Sequence, residues 1–187
     1  MKLVLASGSP RRRELMALIA QTFTVCPVDA DETLRRGAPL DEEVVRLSRL
    51  KAEAALGLHP DAVCIGSDTM VTIDGLPLGK PENAAHAAEM LRRLRGRTHE
   101  VLTGLAVLLP DGTARTLCTR TRVTFRDFAE DELAAYLATG EPMDKAGAYG
   151  IQGRGALLIA GIEGDYYSVM GLPVAGLHVI LRELGAI

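Results

Sequence analysis

The apolar positions of this chain fall into short runs separated by stripes of helical spacing. Residues 2–6 (KLVLA) form a compact apolar run that predicts a buried strand. Ser7-Gly8-Ser9-Pro10 punctuates it, and RRRELMALIA follows with Leu15, Leu18 and Ile19 at helical spacing. Ser9 suits a capping role, because its side-chain oxygen can take a free amide of the first turn. Pro10 suits the first helical position, where a missing N–H costs nothing. A short strand at residues 23–26 leads through the acidic turn DADET to DEEVVRLSRLKAEAALG. There Val44, Leu47, Leu50 or Lys51, and Ala54 share a helical face, and Gly57 should end the helix.

Residues 63–65 and 70–73 are two further apolar runs, and Asp74-Gly75 is a turn signal between strand-like partners. Residues 83–96, rich in alanine and leucine, predict a helix closed by Gly96. Residues 99–109 and 114–125 flank Asp111-Gly112 and predict a long hairpin. Then come a helix at 128–137, glycine-rich loops over 147–164 around a strand at 157–162, and a closing helix at 172–184. Strands alternating with helices, with hairpins among them, predict an α/β fold with antiparallel elements, organised as a single domain over residues 1–187.

Composition narrows the function more than the fold. With 48% hydrophobic and 24% charged residues the chain is an ordinary globular sequence, which excludes a disordered or fibrous protein. The three cysteines, Cys26, Cys64 and Cys118, are far apart and unpaired by any CxxC spacing, which suits a reducing compartment and a cytoplasmic location. The opening residues break their short apolar stretch before a signal segment could form, and no membrane-spanning run exists. A net charge of −3, three Phe and no Trp argue against nucleic-acid binding. An anion site, if present, has to be local.

The turn Ser7-Gly8-Ser9-Pro10-Arg11-Arg12-Arg13 joins a strand end to a helix start, where unpaired amides and the positive helix end both favour a phosphate. Arginine forks match phosphate oxygens in pairs. Successive helical residues turn by roughly 100°, so three arginines cannot face one ligand. Arg11 and Arg12 are the candidates, and Arg13 should be solvated or paired to a carboxylate. The competing reading is a charged surface turn, at odds with the helix dipole, which disfavours basic residues in a first turn.

Asp68 follows the run 63–65 beside Gly66, Ser67 and Thr69, the place for a carboxylate held at a sheet edge. An aspartate by itself is a weak base at neutral pH, and a metal-bound water relaxes that demand. Asp68 is therefore a candidate for metal binding and water activation together. Glu32 in DADET is a candidate second metal ligand, with Asp29 and Asp31 as substitutes. Lys51 on a semi-apolar helix face and Lys80 in Gly79-Lys80-Pro81 could neutralise phosphate charge, or be plain surface lysines. No histidine has metal-ligand spacing, and His99 reads as a hydrogen-bonded structural residue. In DKAGAYGIQGRG the glycines let backbone approach a ligand, Gln152 could read a base edge, and Tyr149 could stack or pack. The tyrosines of GDYYSVMGLP suit a core or a subunit interface.

Taken together these stretches resemble the Maf-like nucleoside triphosphate pyrophosphatases. The blocks LASGSPRRREL, DADET, RLSRLKA, IGSDTMV, LGKP, THEVLTG, VTFR, GEPMDKAGAYGIQGRG and GDYYSVMGLP run through nearly the whole chain in family order. The resemblance implies a mixed, strongly twisted central sheet flanked by helices, two lobes around a cleft, as in inosine triphosphatases. It implies cleavage of the α–β phosphoanhydride of a nucleoside triphosphate with Mg²⁺ or Mn²⁺, and a homodimer. On its terms Ser7, Arg11 and Arg12 bind phosphate, Glu32 and Asp68 hold the metal, Asp68 also accepts a proton, and Lys51 and Lys80 join the catalytic set. Arg11, Thr69 and Gln152 match the branch that hydrolyses dTTP and UTP, and the pattern of the 7-methyl-GTP branch is absent. The family is also linked to restraint of cell division, which leaves a regulator acting by protein contact as the non-enzymatic alternative.

Overall fold

The computed structural model describes all residues, 1–187. Strand β1 (Leu3–Leu5) is buried throughout and pairs in parallel with β2 (Thr24–Val25) on one side and β3 (Val63–Ile73) on the other. Burial on both faces is why its sequence is an unbroken apolar run rather than an alternation. Helix α1 (Pro10–Ala17) starts as expected: Ser9 Oγ accepts the Arg12 N–H at 3.4 Å and Pro10 occupies the first turn. Its core side is Leu15 and Met16, whereas Leu18 lies past the helix end and is 63% exposed, against the predicted stripe.

Helix α2 (Leu40–Leu58) runs one residue beyond Gly57, and its buried stripe differs from the predicted one. Glu43, Val44, Leu47, Ser48, Lys51, Ala52 and Ala55 are buried, so three polar residues lie on the inward face and Leu50 and Ala54 flank it. The predicted runs 63–65 and 70–73 prove to be one strand of 11 residues, β3, which turns at Asp74-Gly75 into antiparallel β4 (Leu76–Leu78).

Helix α3 (Ala84–Leu94) is capped by Asn83, whose side chain accepts the His86 N–H at 2.9 Å, and it buries Ala87, Met90, Leu91 and Leu94. Strands β5 (Thr98–Leu108) and β6 (Ala114–Phe125) form the expected hairpin, closed by the Leu109 N–H on the Thr113 carbonyl at 2.9 Å. Helix α4 (Glu130–Leu137), three 3-10 turns between Glu141 and Leu158, strand β7 (Ile159–Glu163), helix α5 (Tyr166–Met170) and helix α6 (Val174–Glu183) complete the chain. The short helix α5 was not predicted; Asp165 starts it by accepting the Tyr167 N–H at 3.0 Å. The sheet order is β2-β1-β3-β5-β6-β7, with β4 beside β3 and β7 antiparallel to β6. This is a mixed α/β fold with a central seven-stranded sheet flanked by helices.

Two compact units share the chain. The first holds residues 1–69, 103–119 and 171–187, and the second holds 70–102 and 120–170. In the first, Val4, Ala6, Cys26, Ala55, Ala62 and Cys64 pack together, and burial pushes the Cys64 thiol up to about 11. The second is centred on Leu91, Leu94, Phe125, Phe128, Leu133 and Leu158. His99 lies within it, edge-on to Phe125 and Tyr149, with Nε2 2.7 Å from the Tyr149 hydroxyl. Burial pushes the imidazole down to about 4, so it is neutral at physiological pH and structural, as expected. Tyr149 packs in this core at 5% exposure, which takes it out of contention for stacking on a base.

Candidate active site

The site begins with two glycines. A Cβ at Gly66 on β3 would stand 2.1 Å from the Ser48 carbonyl oxygen, and one at Gly104 on β5 would stand 2.4 Å from the Val44 carbonyl oxygen. Helix α2 therefore lies against these strands main chain to main chain, a spacing only glycine permits. Lys51, adjacent to Ala52 at this contact, is thereby brought to Asp68. Its Nζ donates to Asp68 Oδ1 at 2.6 Å and meets Glu32 Oε1 at 2.7 Å. The lysine and aspartate side chains are 10% and 13% exposed and that of Glu32 is 62% exposed. Lys51 is thus not a surface lysine. Asp68 does not follow the strand as predicted but sits at its middle, since residues 66–69 continue β3.

Arg12 is the second anchor. Its Nε donates to the Gly171 carbonyl at 2.8 Å, one terminal nitrogen to Ser7 Oγ at 3.4 Å, and the other to Thr69 Oγ1 at 3.3 Å. Thr69 also accepts from the Thr103 hydroxyl at 3.2 Å. Ser67 Oγ lies 2.8 and 2.9 Å from the Gly104 and Gly171 carbonyl oxygens, which share its one proton, tying down the same backbone that receives Arg12. Burial lowers the Arg12 guanidinium from its ordinary value, and the charges of Asp68 and Glu32 oppose that. Arg11 lies close enough to push Arg12 in the same direction as burial. Arg13 is exposed, in line with the helical spacing argument.

Of the expected site residues, the first unit thus gathers Ser7, Arg12, Glu32, Lys51, Asp68 and Thr69 into one connected set, with Arg11 beside it. Lys80 and Gln152 belong to the second unit, Lys80 exposed after β4 and Gln152 half-buried at the start of the last 3-10 turn. Ser67, Gly66, Gly104 and Gly171 were missed. A glycine inside a strand pattern is the signal that could have found Gly66 and Gly104.

Glu43 was also missed, because a carboxylate in a charged helix reads as solvated. It is fully buried and accepts from Arg35 Nε at 2.6 Å, the Arg35 N–H at 2.8 Å, and Arg46 at 2.9 and 2.8 Å. Arg46 also donates to the Thr33 carbonyl at 2.8 Å, which fixes the loop directly after Glu32. Arg46 first, then burial opposed by Arg35, leave the Glu43 carboxyl at about 2. Because this is below the unfolded value of 4.5, the stabilisation is fully present above that value and is lost as pH falls toward 2. Glu43→Gln is expected to cost roughly 2–3 kcal/mol near neutral pH, below the usual cost of severing a buried pair because both arginines reach solvent. Urea melts should show the gap from wild type closing as pH drops from about 4.5 to 2; a gap independent of pH would refute the assignment.

The sequence model of the family described as Maf-like protein matches residues 2–184. A dTTP/UTP pyrophosphatase of Moorella thermoacetica is 52% identical over 185 residues, covering 98% of this chain and 95% of the relative. One of Bacillus velezensis is 50% identical over 182 residues, covering 97% and 96%. Among solved structures, the Staphylococcus aureus Ham1 protein aligns with 68% of this chain and 73% of its own, at a TM-score of 0.50 and 19% identity, a likeness of fold. Matched from end to end by the family model and by relatives at half identity, this chain belongs to the Maf-like protein family.

Proposed function

We propose that the protein is a nucleoside triphosphate pyrophosphatase that hydrolyses dTTP and UTP to the monophosphate and pyrophosphate. The observation that carries this reading is Lys51 fixed between Asp68 and Glu32 in the same unit as an Arg12 already oriented by three partners. The names of the relatives at 52% and 50% identity support the substrate. A guanidinium has five N–H donors, and three bonds hold Arg12, so two donors remain for phosphate oxygens. An ammonium has three, and Lys51 spends two on carboxylates, which leaves one for a phosphate. Such fixed donors stabilise charge that develops on the phosphates without reorganising during reaction.

Asp68 Oδ1 is held by Lys51, and Oδ2 is the oxygen we assign to take the proton of the attacking water. Two carboxylates converging on one cationic nitrogen are also the donor set of a Mg²⁺ or Mn²⁺ ion that takes its other ligands from phosphates and water. Glu32 and Asp68 would hold that ion, which would neutralise phosphate charge. We assign Ser7 and Arg11 to phosphate contacts, Lys80 to phosphate charge, and Arg11, Thr69 and Gln152 to recognition of the pyrimidine nucleotide.

The reading extends to a single working domain over 1–187 and a cytoplasmic homodimer. Cys26 and Cys64, both buried and in no disulfide, support a reducing compartment. Tyr166 and Tyr167, edge to face at 5.7 Å and 39% and 42% exposed, support a self-association surface, to be checked by sedimentation. No helix is long and apolar enough to cross a membrane.

Purified protein incubated with a nucleotide panel and Mg²⁺ or Mn²⁺ should release pyrophosphate and the monophosphate from dTTP and UTP, identified by chromatography. Orthophosphate with a nucleoside diphosphate would reject the cleavage position. Preference for 7-methyl-GTP would reject the substrate.

A further inference from the structure

The glycine-rich loop that carries Gln152 is held by a single carboxylate. Glu141 Oε1 accepts the Gly155 N–H at 3.2 Å and the Tyr136 hydroxyl at 3.1 Å, and Oε2 accepts the Arg154 N–H at 3.0 Å. The same Tyr136 oxygen accepts the Gly150 N–H at 3.1 Å. Three amides on both sides of Gln152 therefore end on one carboxylate–phenol pair. Lys145 fastens the pair from behind, its Nζ donating to the Glu141 carbonyl at 2.6 Å. Tyr136 is 3% exposed, and burial pushes its hydroxyl up, so it stays a proton donor to Glu141. The loop is built tightly on this pair. A Cβ at Gly153, which has φ +69°, would lie 2.7 Å from Glu141 Oε2.

We propose that Glu141, with Tyr136, is a positioning residue that fixes the backbone carrying Gln152, and with it the place from which the amide reaches the base, and so sets selectivity among pyrimidine nucleotides. This rests on the reading of Gln152 as the residue that contacts the base. Uracil and thymine offer an N–H donor beside a carbonyl, and cytosine offers the reverse pattern. A glutamine amide meets either pattern if it is free to turn over. Discrimination therefore requires the amide to meet the base at a fixed place and angle, where its own contacts can hold it one way round; that placement starts from the backbone, and a run of glycines does not hold itself. Both carboxylate oxygens are needed. A glutamine at 141 has one acceptor oxygen, and its NH2 would face a donor, either the Arg154 N–H or the pair at Oε1.

The test compares Glu141→Ala, Glu141→Gln, Tyr136→Phe and Gln152→Ala, measuring kcat and KM for dTTP, UTP and CTP. Hydrogen exchange at the amides of Gly150, Arg154 and Gly155 is followed in parallel. Glu141→Ala is expected to cut the preference for UTP over CTP by about tenfold, chiefly through KM, with kcat within about threefold. The Arg154 and Gly155 amides should exchange about tenfold faster while those of β3 and β5 keep their protection. Glu141→Gln and Tyr136→Phe, which preserve volume should the alanine variant fold poorly, should fall in between. Wild-type preference in the Glu141 variants while Gln152→Ala loses it would overturn the proposal, as would unchanged exchange at the three amides. If Gln152→Ala itself kept the preference, the base-contact reading would be the part that failed, and the selectivity role of Glu141 would fall with it.

Discussion

Replacing Asp68 by asparagine is expected to lower kcat by on the order of 10³ while leaving the protein folded. The asparagine keeps the shape of the side chain, and its Oδ1 can still accept from Lys51 Nζ, which now lies 2.6 Å from the carboxylate. Packing around this largely buried position is undisturbed, and the melting temperature should move by only a few degrees. What disappears is the negative charge that we assign to taking a proton from water and to holding a cation. Nucleotide binding should persist, because Arg12 keeps its bonds to Gly171 and Ser7, and removing a carboxylate near a triphosphate reduces repulsion. Turnover by product chromatography and affinity by equilibrium binding check the two halves separately. Turnover within about tenfold of wild type would remove Asp68 from the chemistry. A variant without turnover that still produced a normal effect on cell division would instead favour the regulator.

Gly66→Ala is expected to cost about 3 kcal/mol and roughly 10²-fold in kcat together, from one methyl group. The new Cβ would stand 2.1 Å from the Ser48 carbonyl oxygen, 2.8 Å from the Ala52 nitrogen and 3.2 Å from the Ala52 Cβ. Two of these are main-chain atoms of α2, which cannot rotate aside as a side chain would. The helix itself has to retreat, and Lys51 retreats with it from Asp68. Gly161→Ala is the control: nothing lies within 4 Å of its Cβ, and it should be nearly silent. Urea melts and steady-state kinetics on both variants give the comparison. A Gly66→Ala protein of wild-type stability and rate would mean that the close approach does not set the lysine.

The sequence was most legible where one element determined its own form. Ser9 and Pro10 start α1, and the turn at Asp111-Gly112 closes the long hairpin, both from local chemistry. It misled where a tertiary contact overruled local preference. Gly-Ser-Asp-Thr at 66–69 reads as a break, yet it continues β3, because α2 requires the glycine and the Ser67 hydroxyl is consumed by two carbonyls. The inward stripe of α2 keeps the expected Val44, Leu47 and Lys51 but takes in Glu43, Ser48, Ala52 and Ala55 and leaves Ala54 at its edge, for a related reason. Glu43, Ser48 and Lys51 can lie inside because Arg35 and Arg46, the Val44 carbonyl, and Asp68 with Glu32 meet them there. Among site residues, Ser7, Arg12, Glu32, Lys51 and Asp68 are legible one at a time and Thr69 only through the family resemblance, but their connection depends on strand pairing that no spacing reveals. The Glu141 network was invisible, since a carboxylate capping amides 13 and 14 residues away has no local signature.

The contact at Gly66 and Gly104 has a practical corollary for anyone who wishes to redesign this protein. Because α2 meets the sheet main chain to main chain at these two glycines, and through Ala52 and Ala55 beside them, small residues set the gap across which Lys51 meets Asp68. Repacking for heat tolerance is therefore better tried in the second unit, at Leu91, Leu94 and Leu133, than at Ala55 and Cys64, where α2 and β3 pack together. At the two glycines stability and turnover share the same atoms, so a redesign that spares them leaves one of the two properties free to change.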